Sequence, residues 1–422
     1  MKKQIYPVVF IIQSLILVMV SNEDNLAFPA PFQDLDVYFH EEYVVRGQMD
    51  REILFSSADA AEAIQFALDA LAEEGGEVCL QRGNYPLSSP LYMKDGVVLR
   101  GKARGSRLVV RTDNPSGTGI ILKDLKAAQV ADLSVKPEAD GEGFSGILID
   151  NSGDCQIRNV HCQGFGSHGI KLMNNSFLCE ISGCQLVDNR KANLYLENLR
   201  EGGRGGDFLP NMISDLTIYG GGNGIECKYA IVVNITGCQI FQTKGYGIYL
   251  HSVSNSVLVT GCRTFQIETD AIRVEDSHEI NISGNIFCWH RGHGLVLKNV
   301  TWGTISANNI IDSGVRAGDR AGRNGIVMSE ETRSIQVTGN AIFNWGDQVP
   351  MMYGILEGEK CSLNTIAYNN INFFTKNAVL SGGKGTLIKD NQARGTDAWI
   401  GMDREQPWPD FKRDPIERFI EH

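Results

Sequence analysis

The chain has 422 residues, with 39 Lys and Arg against 50 Asp and Glu and a formal net charge of −11. That acid excess argues against a nucleic-acid partner, because phosphate binding calls for a basic surface. Hydrophobic residues make up 42% and there are 46 glycines, a balance that favours a continuous core cut by many tight turns over a set of long helices.

Lys2 and Lys3 precede an apolar run at residues 6–20 that ends near Ser21. This reads as a secretory leader. The run contains Gln13 and is shorter than the ~20 residues a spanning helix needs. Residues 1–21 are therefore expected to be a cleaved signal peptide, which implies a secreted or periplasmic location and no stable membrane insertion afterwards. Residues 22–57 form an N-terminal extension, loop-like at Phe28-Pro29-Ala30-Pro31-Phe32 and then an edge strand. Over residues 57–74 the period changes: Ala61, Ile64, Ala67, Leu68 and Leu71 recur at helical spacing and Gly75-Gly76 ends the run, so one amphipathic helix is expected.

Downstream the chain repeats. Rungs open at Gly119-Ile120, Gly146-Ile147, Gly169-Ile170, Asn193-Leu194, Gly224-Ile225, Gly247-Ile248, Ala271-Ile272, Gly294-Leu295, Gly325-Ile326, Gly354-Ile355 and Ala378-Val379. A motif returning every ~22–32 residues between turns is the signature of a solenoid. About ten residues after its opening, a rung carries a second step, as in Ile235-Thr236-Gly237-Cys238 or Ile282-Ser283-Gly284-Asn285. Cys184, Cys238 and Cys262 stand where other rungs carry Asn285, Asn308, Asn340 and Asn369. They are expected to be small buried hydrophobes in a stack, with a pairing between rungs left open. The repeat fades after Gly395. Residues 396–422, with Trp399, Trp408, Pro409, Phe411 and Phe419, are expected to cover the last coil. Three insertions, at residues 200–210, 312–324 and 344–353, break the rhythm and are expected to wall a groove.

On a strand the residues flanking an apolar position face the other side. Written rung by rung, the outward residues fall into two columns. The first reads Lys171, Tyr195, Glu226, Tyr249, Arg273, Val296, Val327; the second reads Met173, Glu197, Lys228, His251, Glu275, Lys298, Ser329. A glutamate between two tyrosines, with an arginine beyond and a histidine beside, points to sugar chemistry. Glu226 and Glu197 are diagonal neighbours, and a carboxylate pair supplies the acid and base for breaking a glycosidic bond. Tyr195, Tyr249 and His251 are candidate sugar contacts. Lys171 and Arg273 suit a carboxylate or sulfate on the chain, and Asp270 and Glu275 lie near the same face. An exposed ladder of ion pairs such as Glu197–Lys228 and Glu275–Lys298 would account for the charges without function. His290 and His293 resemble a metal pair, but no carboxylate cluster, CxxC or zinc spacing completes it; no metal or other cofactor is expected. The partner is expected to be a carbohydrate, and a homo-oligomer is left open.

Ala63-Ile64-Gln65, Gly75-Gly76, the strand pair from Val78 and Leu80 through Gly83 and Tyr85 to Leu87, and Val97-Val98-Leu99-Arg100-Gly101 resemble the entrance of the pectate-lyase-like superfamily. The likeness covers residues 58–395. It implies an all-β, right-handed parallel β-helix solenoid whose open end is closed by an N-terminal capping helix. The superfamily hosts lyases, hydrolases, epimerases, phage tailspikes and non-enzymes, so the fold does not choose the reaction. Ile213-Ser214-Asp215 followed by Gly222-Asn223-Gly224-Ile225-Glu226 is similar to a motif of inulin fructotransferases, which implies Asp215 and Glu226 as a catalytic pair. The Asn-Thr-Asp, Asp-Asp and Arg-Ile-Lys set of polygalacturonases and the tyrosine-and-aspartate motif of alginate epimerases are not found. The expectation is a secreted enzyme that cleaves glycosidic bonds. The alternatives are a lyase on uronate chains, an intramolecular fructan transferase, and a non-catalytic glycan-binding coil.

Overall fold

The repeat closes because each rung has one apolar side to bury and only the next rung to bury it against. The coil that holds Glu226 consists of three strands, Asn223–Lys228, Ile231–Thr236 and Gln239–Phe241. Each pairs in parallel with its counterpart in the next coil, with Glu226 opposite Tyr249, Asn234 opposite Leu258 and Ile240 opposite Thr264. These strands define a first, second and third face. Among the described residues the third face is a sheet of 13 strands, and the first two, with the N-terminal strands joined to them, run together as one of 26, because Ile272–Ser283 and Leu295–Ser306 each bend through both. This computed structural model describes residues 34–139, 141–198, 209–252, 254–314, 323–344 and 351–395. The expected leader, the central parts of the three insertions and the expected tail cover lie outside the described residues.

The corner between the second and third faces needs a left-handed residue in coil after coil. Asp132, Asn159, Gly183, Asp215, Gly237 and Gly261 all take it, with φ between 52° and 64°, which glycine and short Asn or Asp tolerate best. Just past that corner one residue per coil points into the core. Cys184, Cys238 and Cys262 are buried there, and all ten cysteines are free thiols. Then the column turns polar: Asn285, Asn308, Asn340 and Asn369 each donate an amide N–H to the next asparagine's Oδ1 at 3.0, 3.0, 2.9 and 2.9 Å, ending at Asn391. The remaining amide hydrogens bond core carbonyls such as Ile282 O and Ile305 O. The ladder is satisfied along its length, so burying it carries little desolvation cost.

The helix is Ala60–Ala70, shorter than the periodic stretch. Asp59 caps it by accepting from Ala61 N, and its Ala61, Ile64, Ala67 and Leu68 face is buried over the first coil. The extension is more than an edge strand. Leu35–His40, Glu42–Gly47 and Ile53–Ser57 form an antiparallel meander, and the first of them also joins the coil in parallel, Leu35 opposite Val78. Alternation in Leu35 and Val37, both buried on either side of Asp36, drives that pairing.

Candidate functional site on the first face

Glu226 stands where period two puts it. Ile225 and Cys227 are 0% exposed, and the glutamate between them faces outward, half-buried. Its Oε2 accepts from Asn223 Nδ2 at 2.7 Å, and its Oε1 lies 3.2 Å from His251 Nε2. Asn223 is held in turn, because its Oδ1 accepts the backbone N–H of Tyr246 at 2.8 Å. A Cβ at Gly245 would sit 2.1 Å from that oxygen, so the close approach requires glycine there. His251 is fixed from both sides: Nδ1 is 3.0 Å from Ser252 Oγ, and the ring stacks on Tyr249 with centroids 4.2 Å apart.

On one flank of Glu226, Tyr195 lies directly opposite in register. Its hydroxyl donates to Glu197 Oε2 at 2.7 Å, and Lys228 Nζ reaches Glu197 Oε1 at 2.7 Å. On the other flank, the Tyr249 hydroxyl donates to Glu275 Oε2 at 2.8 Å. Arg273 bonds Glu275 at 2.7 Å and Asp270 at 2.9 Å, and lies over the Tyr246 ring. Asp270 is buried and also accepts the His293 backbone N–H at 2.7 Å. The two tyrosines thus bracket the glutamate, each tied to an outer carboxylate that carries its own cation.

Burial raises the carboxyl pKa of Glu226, but hydrogen bonds from His251 and Asn223 and the electrostatic influence of His251 outweigh it, and the group is held below its ordinary value. Glu197 is likewise raised by burial and brought below by Lys228 and Tyr195, and Glu275 by Tyr249 and Arg273. Burial and the adjoining carboxylates push the Tyr195 and Tyr249 hydroxyls up. At neutral pH the site therefore holds three carboxylates and two neutral phenols.

Several expectations change. Asp215 does not join Glu226: it sits exposed, at φ 55°, in the turn between the second and third faces, whereas Glu226 is on the first. It repeats the corner residue Asp132, and the motif match had ignored which face each residue serves. Arg273 is not a free anion reader, because Asp270 and Glu275 occupy it. Glu197 takes part in the expected ion pair with Lys228, while Glu275 turns to Arg273 and Tyr249 instead of ion-pairing with Lys298. Val296, in the outward column, is only 4% exposed.

Of a third column the sequence singled out only Asp270 and His293. Three residues before each member of the first column lie His168, Ala192, Asn223, Tyr246, Asp270, His293 and Asn324, in register where paired. Backbone N–H groups bond these side chains along the coil, Asn324 N to His293 Nδ1 at 3.0 Å and Tyr353 N to Asn324 Oδ1 at 3.1 Å. His168 packs 4.8 Å from Tyr195, with Nδ1 2.8 Å from Ser167 Oγ. A count of two does not find them, because each lies three residues before an outward one and would be assigned to the inner side; the remaining signal is its place just before the opening Gly, Ala or Asn.

His290 is core rather than ligand. It is 0% exposed, Nδ1 accepts from Ile267 N at 3.3 Å and Nε2 pairs with Thr264 Oγ1 at 3.2 Å. Among the described residues no group of His, Cys, Asp and Glu is placed to hold a metal ion. Burial pushes the His290 pKa down to about 3, and burial with Arg104 or Lys171 takes His161 and His168 to about 4. All three lie below the unfolded value of roughly 6.5, so the unfolded chain binds these protons first. Their contribution is complete above about pH 6.5 and is lost as pH falls toward 4. A urea midpoint that drops across that window, and drops less in His290→Gln, is the expected result; equal slopes in both proteins would refute it.

A family profile described as a right handed beta helix region matches residues 145–342, the stretch whose parallel coils are laid out above. The chain is a right-handed parallel β-helix. Solved β-helices share its architecture. The A-module of mannuronan C-5 epimerase AlgE6 from Azotobacter vinelandii is 14% identical, with a TM-score of 0.67 over 79% of this chain and 95% of that one. The catalytic unit of a GH87 alpha-1,3-glucanase from Streptomyces thermodiastaticus is 14% identical, with a TM-score of 0.52 over 83% and 68%. The tailspike of E. coli bacteriophage HK620, solved in complex with a pentasaccharide, is 10% identical, with a TM-score of 0.52 over 80% and 74%. At such identities the likeness is one of fold. No curated protein matches the sequence.

Proposed function

We propose that this β-helix is an enzyme that cleaves glycosidic bonds in a polysaccharide or oligosaccharide lying along its first face. One observation carries the reading. Glu226 is a half-buried carboxylate between two tyrosine coils, held ionised by an amide and a histidine, with no lysine or arginine among the described residues bonded to it. Its outer neighbours Glu197 and Glu275 are each neutralised by a permanent cation. A carboxylate kept ionised without a permanent cation on it is the state needed for a nucleophile at the anomeric carbon or a base toward water. Glu197 is its partner; Lys228 holds it ionised, so service as an acid requires substrate to displace that ammonium. The neighbours named as epimerase, glucanase and saccharide-bound tailspike support a carbohydrate ligand.

Incubation with plant, algal and microbial glycans, followed by product masses, tests this. Gain of water marks hydrolysis; absence of any fragment from every glycan would end the proposal. The base also predicts a pH profile. Because Glu226 is held below its ordinary value, the acid limb that it sets in kcat/KM is expected below the usual carboxylate range; an acid limb above pH 6 would assign the base elsewhere.

A second reading, elimination on a uronate chain, is favoured by one feature. No carboxyl in the cluster is held protonated, whereas Tyr195 keeps its proton. There Glu226 with His251 would take the proton α to the carboxylate and Tyr195 would protonate the leaving oxygen, giving an unsaturated product lighter by one water than the hydrolytic one. We further propose export, supported by Lys2, Lys3 and the apolar run at residues 6–20; N-terminal sequencing of protein from the medium or periplasm showing an intact Met1 would contradict it.

A further inference from the structure

Around Glu226 the charges of the first face are paired, and among the described residues Lys171 in the first column and Lys298 in the second are not. Lys228 bonds Glu197 at 2.7 Å, Arg273 bonds both Asp270 and Glu275, and His251 faces Glu226 at 3.2 Å. Lys171 is half-buried in the first column, yet among the described residues it has no hydrogen bond and no carboxylate within 4 Å. Lys191 adds a second positive charge beside it, and the carboxylates of Glu197 and Asp150 act on it only from beyond ion-pair distance, without outweighing burial and Lys191. A half-buried ammonium without a partner is costly unless an anion arrives to pair with it.

We propose that Lys171 forms the anion subsite of this face and binds an oxyanion substituent, a carboxylate or a sulfate ester, on the glycan about two sugar residues from the bond attacked at Glu226. The spacing follows from register. Lys171 lies opposite Tyr195, and Tyr195 opposite Glu226, so two coil steps of ~4.8 Å separate the ammonium from the carboxylate. Tyr195, with the neutral ring of His168 against it, forms the floor between them. The three N–H donors of an ammonium suit an oxyanion of either kind. Burial first, and then Lys191, lower the Lys171 pKa; a bound anion would reverse that pressure. Arg273, the other cation of the column, already has two carboxylates and reads nothing.

The inference rests on the first face being the glycan track, and its test is made on binding so that the two can fail separately. Full-length Glu226→Gln protein is titrated calorimetrically with matched pairs: oligogalacturonate and its carboxyl-reduced form, and a carrageenan oligosaccharide and its desulfated form. In one pair the acidic member is expected to bind about tenfold more tightly, the scale of one charge-assisted contact. Adding Lys171→Met is expected to erase that preference, and Lys171→Arg to keep most of it. Which pair responds identifies carboxylate or sulfate. Equal affinity within both pairs, no binding of either acidic form, or a preference that survives Lys171→Met overturns the proposal. Residual turnover by the Glu226→Gln protein would instead count against the catalytic reading and leave the binding contrast intact.

Discussion

Glu226→Gln is expected to lower kcat/KM by roughly 10²–10⁴-fold, the range for removing a positioned acid or base, while leaving the fold unchanged. The substitution removes charge and little else. A glutamine at 226 can still accept from Asn223, and its amide can donate to His251 Nε2 once the imidazole carries its proton on Nδ1, toward Ser252. The side chain is held by the hydrogen bonds of Asn223 and His251 rather than by an ion pair with lysine or arginine, so no buried cation is orphaned. Glu197→Gln is a different experiment. It strips Lys228 and Tyr195 of their shared partner and combines a local structural cost with any chemical one. A Glu226→Gln protein that stays within threefold of wild type on a glycan the wild type cleaves would remove this residue from the mechanism.

The largest structural effect is expected at Asn308→Ala. Asn308 is fully buried; it accepts from both the backbone N and Nδ2 of Asn285 at 3.0 Å and donates to Ile282 O at 2.9 Å and Asn340 Oδ1 at 3.0 Å. Alanine cuts the ladder in its middle and leaves two donors and a carbonyl without partners in the core. Unsatisfied buried groups cost ~1–3 kcal/mol each with partial relaxation, so a loss of about 3–5 kcal/mol is expected, read as a shift in the urea midpoint by circular dichroism. The same column accepts Cys238 and Cys262 a few coils earlier, where no asparagine lies on the preceding side. A shift worth less than about 1 kcal/mol would show that the ladder is a consequence of packing and not a support for it.

Much of this was visible in the residues themselves. Alternation placed Ile225 and Cys227 inside and Glu226 outside, and the recurrence of Gly-Ile openings aligned the columns well enough to bring Tyr195, Glu226 and Tyr249 together. Burial of the cysteine and asparagine column followed from the same count. What failed did so for a physical reason. Asp215 was chosen by local likeness to a motif, and a motif does not say which of three faces its residues occupy. Arg273 was read as free because side-chain pairing depends on rotamers, and column position alone cannot show that Asp270 and Glu275 reach it first. Asn223 and His168 were missed because the small residue after each of them marked the start of the rung, and the outward residue before it was taken as turn. Leu35 and Val37 follow an unreadable stretch and pair with a strand 43 positions later, Leu35 opposite Val78, a contact that no short window reveals.

The most direct measurement is a crystal structure of Glu226→Gln protein soaked with an oligosaccharide that the wild type cleaves. The sugar chain is expected on the first face, crossing the coils of Tyr195 and Tyr249, with the scissile linkage within about 3 Å of the side chain at 226. Density for the sugar on the second or third face, or on the first face but remote from residue 226, would contradict the account.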